Sequence, residues 1–314
     1  MKGTSLVYSS HARCRLIHDH FIVERALRGE HNKRIVFLPM SETPQNGNEM
    51  ERQEFAWGNF RWYLSQFERF GLEYMPFYWT SGLRAEDVEA LWHQMRTAEV
   101  LILGGGHSVT GLHRYKDLGA RFSDEPGKFG RILHERKARG LLTVGFSAGA
   151  DQLCEHIFRR THDGYTDTKG FGLVRNTMIT LHHDPSRNGD IHNCAVRFRN
   201  ERVFGLPNDS GLNVDWGILP SGNVWQVYEF VLDRTWDIPN EQFHIRTRHG
   251  GLIEHFDPEG RHWGFDAGDH LVRIQSQDGH YDEGWIVARG SVLNYWTRQS
   301  SRYDSVGEIL AAHG

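Results

Sequence analysis

Gly145-Phe146-Ser147-Ala148-Gly149 closes an apolar run, Leu141 to Val144, and opens a segment compatible with helix. A serine set this way between two glycines has the spacing of a nucleophile elbow, the strand–turn–helix device that presents a hydroxyl for acyl transfer. The turn is so tight that a side chain at Gly145 or Gly149 is expected to collide with the neighbouring strand or helix. It also sets the Ala148 N–H at the start of a helix, where it can stabilise a developing oxyanion. A Gly-rich turn with a structural serine has the same five-residue pattern. The flanking strand, and the helix expected over Asp151 to Phe158, carry the nucleophile reading.

A serine nucleophile needs a base, and the base needs a group to orient it. Leu181-His182-His183-Asp184 supplies the base candidates. His182 ends an apolar, strand-like run that contains Met178, Ile179 and Leu181. That places it at the carboxyl edge of a sheet, where ligands of open α/β folds gather. The same segment offers His182, His183, Asp184, Asp190 and His192 as metal ligands. Zinc hydrolases do combine histidine with carboxylate. The spacing argues against it, because HExxH and HxxEH are absent. Adjacent strand residues also point to opposite faces. No metal and no cofactor is expected.

The elements that must position these residues follow from apolar periodicity. Arg34 to Pro39, Leu72 to Tyr78, Val100 to Leu103 and Leu141 to Val144 read as strands, the first and the last two as buried ones. Between them, Glu51 to Phe70 carries Phe55, Phe60, Leu64 and Phe67 near helical spacing. Ala85 to Met95 places Val88, Leu91, Trp92 and Met95 on one helical stripe, and Lys128 to Arg139 is a further amphipathic helix. Thr177 to Leu181 and Arg202 to Leu206 are further strands. This alternation predicts an α/β fold, a doubly wound, mostly parallel sheet with helices on both faces. After residue 220 the texture changes to short β-like runs: Val224 to Leu232, His270 to Ile274, Trp285 to Ala288 and Val292 to Trp296. Turn signals at Asp257-Pro258-Glu259-Gly260 and Gln277-Asp278-Gly279 separate them. The expectation is a hydrolase-type domain over 1–220 and a C-terminal β-rich extension over 221–314. That extension either continues the main sheet or forms a small β unit.

Composition excludes several classes. The 314 residues suffice for one large domain or a domain with an appendage. A net charge of −4 with 24% charged residues gives no basic stripe for nucleic acid and no polybasic membrane patch. No apolar run reaches membrane-spanning length, and the N-terminus lacks the design of a signal peptide. Cys14, Cys154 and Cys194 have no paired spacing, so free thiols and a cytoplasmic location are expected. Aromatic residues of the C-terminal region are a candidate homodimer contact.

Four stretches together resemble the peptidase family of aspartyl dipeptidase (peptidase E) and cyanophycinase, whose fold is similar to that of class I glutamine amidotransferases. They are Ala98 to His107 with its Gly104-Gly105-Gly106 turn, Gly145 to Ala150, Gly170-Phe171-Gly172-Leu173 with Ile179 to His182, and Phe204 to Asp209. The resemblance covers roughly Arg34 to Pro220. It implies a serine peptidase acting on a small peptide, with Ser147 as nucleophile and His182 as general base. Gly106 and Ala148 would supply the oxyanion N–H groups. For the third member, Asp163 resembles the dipeptidase aspartate. The late glutamate of the cyanophycinase pattern reads Asn208 here, with Asp209 beside it, so Asp163 and then Asp209 are the acid candidates. His107 and His183 replace the family's usual residues beside the glycine turn and the base. With Asn208 and Arg187 they are the expected substrate-binding residues. The altered neighbours also leave open a degenerate relative that binds a peptide or amino acid without turnover.

Overall fold

Five mostly apolar segments lie side by side as parallel strands. They are β1 (Lys2–Tyr8), β2 (Arg34–Leu38), β3 (Glu73–Pro76), β4 (Val100–Leu103) and β5 (Leu142–Phe146). Their order is β1-β5-β4-β2-β3. The computed structural model describes residues 2–11, 14–29, 32–44, 47–161, 164–234, 251–276 and 281–314. Buried parallel strands are apolar on both faces, and alternation then divides each one between two layers. Ile35, Phe37, Val100 and Ile102 face one layer with Trp57, Phe60 and Leu64 of helix α2 (Glu51–Leu64). Val36, Leu38, Leu101 and Leu103 face the other, against Val88, Leu91, Trp92 and Met95 of α3 (Ala85–Thr97). Phe129, Ile132 and Leu133 of α5 (Lys128–Ala138) complete that side. Each fully buried side chain of this size contributes about 1.5–3 kcal/mol.

The doubly wound half is therefore as expected, and the sheet does not stop there. β1 also pairs antiparallel with β10 (Ser210–Ile218), which pairs with β11 (Val224–Leu232). The antiparallel run continues through β14 (His270–Gln275), β15 (Asp282–Ala288) and β16 (Ser291–Asn294). The C-terminal β-rich region thus extends the main sheet to ten strands. A second sheet pairs β8 (Thr177–Thr180) in parallel with β9 (Arg202–Gly205), then antiparallel with β12 (Ile253–Phe256) and β13 (His262–Phe265). Gly260 makes the expected turn, its amide bonded to the Asp257 carbonyl at 3.0 Å. The other turn signal, 277–279, lies outside the described residues.

One expectation needs correction. Asp151 to Phe158 does not continue the elbow helix. Helix α6 is short (Ala148–Leu153), and His156–Thr161 is a strand, β6, paired with β7 (Gly164–Lys169). Among the described residues the exposed aromatic side chains are Phe55 and Trp62 on α2 and Phe70 just after it; of the C-terminal aromatic residues, Trp236 and Phe243 lie outside the described residues. No described helix is long and apolar enough to cross a membrane.

Candidate active site

The carboxyl ends of β1, β5, β4 and β2 form one edge, and the candidate residues collect there. Ser147 follows β5 with φ 48° and ψ −120°, a strained backbone for a residue with a side chain. The flanking glycines are a steric requirement. A Cβ on Gly145 would sit 2.3 Å from the Gly149 carbonyl oxygen, and one on Gly149 would sit 2.1 Å from that of Leu103. The Ser147 amide donates to the Tyr8 carbonyl at 3.0 Å, which fastens the elbow to the end of β1. One residue along, the Ser9 hydroxyl accepts the His182 amide at 2.8 Å. Consecutive residues of one strand end therefore hold the backbones of Ser147 and His182. His182 also has a positive φ, 51°. Strain of this kind persists only where surrounding contacts impose it, and it gathers at functional sites.

His182 Nδ1 lies 2.5 Å from Asn208 Oδ1. An amide oxygen only accepts, so Nδ1 carries the proton and Nε2 is left free to take one. Asn208 is buried in the turn between β9 and β10, where Ser210 donates both its amide and its hydroxyl to the Pro207 carbonyl. The Cys14 thiol donates to the Asn208 carbonyl at 3.7 Å. Burial lowers the His182 imidazole from its ordinary value and the nearby Arg187 charge lowers it further, while the Asn208 bond acts in the opposite direction.

The sequence-level third members fare differently. Asp163 lies outside the described residues. Asn208, not Asp209, stands on His182 Nδ1. The carbonyl of Asp209 accepts the Asp233 amide at 2.7 Å, and its charge, with that of Asp233, adds to the burial that raises the Cys14 thiol.

The glycine turn packs directly on the elbow. A Cβ on Gly105 would lie 3.4 Å from Ser147 Cβ. Gly106 has φ 120°, and a Cβ there would meet the Ser41 carbonyl at 2.2 Å, so only glycine fits. Ala148 is buried at the first position of α6. A polar group behind the turn, which sequence reasoning missed, joins it to that helix. Ser108 begins α4 (Ser108–Ser123), and its hydroxyl donates to Asp151 Oδ2 at 3.0 Å. Gln152 Nε2 donates to the Ser108 carbonyl at 2.7 Å and to Ser41 Oγ at 2.9 Å. The Ser41 carbonyl in turn accepts the His107 amide at 2.7 Å. Burial pushes the Asp151 carboxyl up to about 8, against the lowering effect of the Ser108 bond. These partners come from three separate stretches, so no local pattern could have announced them.

The expected substrate-binding residues divide. His107 caps α4, its Nδ1 facing the Thr110 amide and hydroxyl. His183 is buried with both ring nitrogens engaged, Nδ1 with Thr180 at 2.9 Å and Nε2 with Asn188 at 2.9 Å. Arg187 is partly exposed and donates to the Leu181 carbonyl at 3.3 Å, next to His182. Asp190 and His192 lie on helix α7 (Asn188–Arg197). Among the described residues, no three His, Cys, Asp or Glu side chains are gathered to hold a metal.

Comparison with known proteins gives the fold. No family model matches the chain. No curated protein matches it either. Among solved structures it is similar to a peptidase from an acI-B1 actinobacterium, with a TM-score of 0.53 and 15% identity. The match covers 84% of this chain and 95% of that one.

Proposed function

We propose that this chain is a serine peptidase that cleaves a dipeptide, a short peptide or a β-aspartyl or other isopeptide bond. The observation that carries the reading is that two strained residues have their backbones held by consecutive residues, Tyr8 and Ser9, at one sheet edge. Ser147 stands on its elbow, and His182 is fixed by Asn208 with Nε2 unprotonated. In this mechanism Ser147 Oγ attacks the substrate carbonyl and His182 Nε2 takes its proton. His182 then gives that proton to the leaving amine, and water releases the acyl group by the same route. The N–H groups of Ala148 and Gly106 face the developing oxyanion. Arg187 is suited to a substrate carboxylate, through either its charge or its fork of donors. The structural likeness to a peptidase supports the same class.

The test is a mass-spectrometric cleavage screen of wild type against Ser147→Ala. The panel holds Asp-Xaa and other dipeptides, β-aspartyl-arginine and cyanophycin. Cleavage by wild type and none by Ser147→Ala is the expected result, and full activity in the variant would sink the mechanism. A second reading rests on Asn208, whose neutral side chain cannot stabilise an imidazolium by charge. On that reading the chain binds a peptide or amino acid without turnover. Retained peptide binding in both proteins, with no cleavage anywhere, would select it.

A further inference from the structure

We propose that the outer face of α2 is a self-association surface, on which two copies of this chain pack α2 against α2, antiparallel about a two-fold axis. The inner face of the helix is fully used: Gln53, Ala56, Trp57, Phe60 and Leu64 are buried. The opposite face should be polar on a surface helix. It carries Phe55 and Trp62 instead, 62% and 78% exposed. Gly58 lies between them on the helical period, also exposed. Nothing among the described residues requires that glycine. A Cβ there would meet no atom within 4 Å, and its φ is not positive. Glycine inside a helix is destabilising relative to alanine. An uncompensated glycine flanked by two exposed aromatic rings is a notch between two knobs.

The pattern is self-complementary. In an antiparallel pair, Trp62 of one copy seats over the partner's Gly58, and the two-fold repeats the contact in reverse. The same register sets Glu51, in the first turn of α2, opposite the partner's Arg69 in the 3-10 segment that continues the helix. Both are exposed, and neither makes an ion pair within its own chain among the described residues. The charges thus match across the axis as well as the shapes. One helix face is smaller than the roughly 800 Å² per partner of a standard interface, so weak, micromolar association is expected.

Sedimentation velocity of the full chain, from about 1 to about 300 µM, tests this. Wild type should move from 36.3 kDa towards twice that mass as concentration rises. Trp62→Glu should remain monomeric with an unchanged far-ultraviolet spectrum. Gly58→Leu should also remain monomeric while its thermal midpoint stays level or rises, because leucine favours helix over glycine. Glu51→Arg should weaken association, and adding Arg69→Glu should restore it. A wild type monomeric throughout, or a dimer that Trp62→Glu leaves intact, overturns the surface. A dimer that Trp62→Glu breaks but the charge exchange fails to restore overturns the antiparallel register.

Discussion

Asn208 sets how His182 can act. Its amide oxygen fixes the tautomer but brings no negative charge, and burial and Arg187 both lower the imidazole. A histidine so lowered stays neutral, and able to accept a proton, at a pH below the ordinary midpoint of about 6.5. The acid limb of kcat/KM should therefore fall below about 6.5. Asn208→Asp adds an anion to Nδ1 and should move that limb up by roughly 1–3 units. Asn208→Ala should cost kcat on the order of 10²-fold with little change in KM. A limb unmoved in Asn208→Asp would mean His182 is not the base. Asp151 gives a second residue-scale prediction, for stability. Its folded value of about 8 lies above the unfolded carboxylate value near 4, so its protonated form belongs to the native state. The stability it contributes is present below about pH 4 and is lost as pH rises towards 8. Asp151→Asn, the neutral isostere, should melt several degrees above wild type near pH 9, with the gap narrowing steadily as pH falls to 5. A constant difference across that range would show that Asp151 does not titrate there. Ser147 and His182 were legible because each follows an apolar run in a local pattern. Asn208 was legible as the residue at the late glutamate position, but the expectation of a charged third member put Asp163 and Asp209 ahead of it.

Elements were legible where both faces of a strand are buried, because such strands read as unbroken apolar runs. Val100–Leu103 and Val224–Leu232 match their expected bounds. β1 escaped notice although it lies in the middle of the ten-stranded sheet. Its first half, Lys2 to Ser5, has no large apolar residue, and pairing on both sides places it there. α4 was hidden by Gly111 and Gly119, which weaken a helical pattern. Gly111 has a tertiary reason: a Cβ would sit 2.2 Å from Ser41 Oγ and 2.3 Å from Gln152 Nε2, inside the group that links the glycine turn to the elbow helix. The expected helix beyond Leu153 lost to sheet formation, as Cys154 bridges to Val174 and β6 pairs with β7. The elbow itself yields the element-scale prediction. Gly149→Ala forces a methyl group against the backbone of β4, where no flexible side chain can give way. Overpacking of this kind costs about 1–3 kcal/mol. Urea unfolding should show at least that loss, and an unchanged midpoint would mean the helix and β4 are not in the contact described.

At the scale of the whole molecule, strand pairing crosses the point where the sequence changes texture. β10 ends at Ile218 and pairs along its whole length with β11, which begins at Val224. β9 pairs with β12 in the second sheet. One core cluster contains Leu101, Leu103 and Trp92 together with Tyr228, Phe230, Phe265 and Ile286. Charges repeat the connection. Arg202 of β9 and Arg273 of β14 share Asp282 of β15, at 3.0 and 2.8 Å, and the Arg202 guanidinium lies over the rings of Tyr295 and Trp296, 4.9 and 4.8 Å from their centroids. Removing one member of such a buried group typically costs about 3–5 kcal/mol, because the remaining charges lose their partner. A chain ended after residue 220 would remove Asp282 and Arg273 together and leave the buried Arg202 without its carboxylate. It would also open the edges of β9 and β10 and expose the C-terminal side of the shared core. Unpaired edges beside exposed apolar surface are aggregation templates. The 1–220 fragment is therefore expected to be insoluble or to lack a cooperative thermal transition, while the full chain unfolds in a single one. A soluble fragment with its own sharp transition would show that the first 220 residues hold the Ser147 edge together without the extension, and the C-terminal strands would then be an addition to a finished site rather than part of its support.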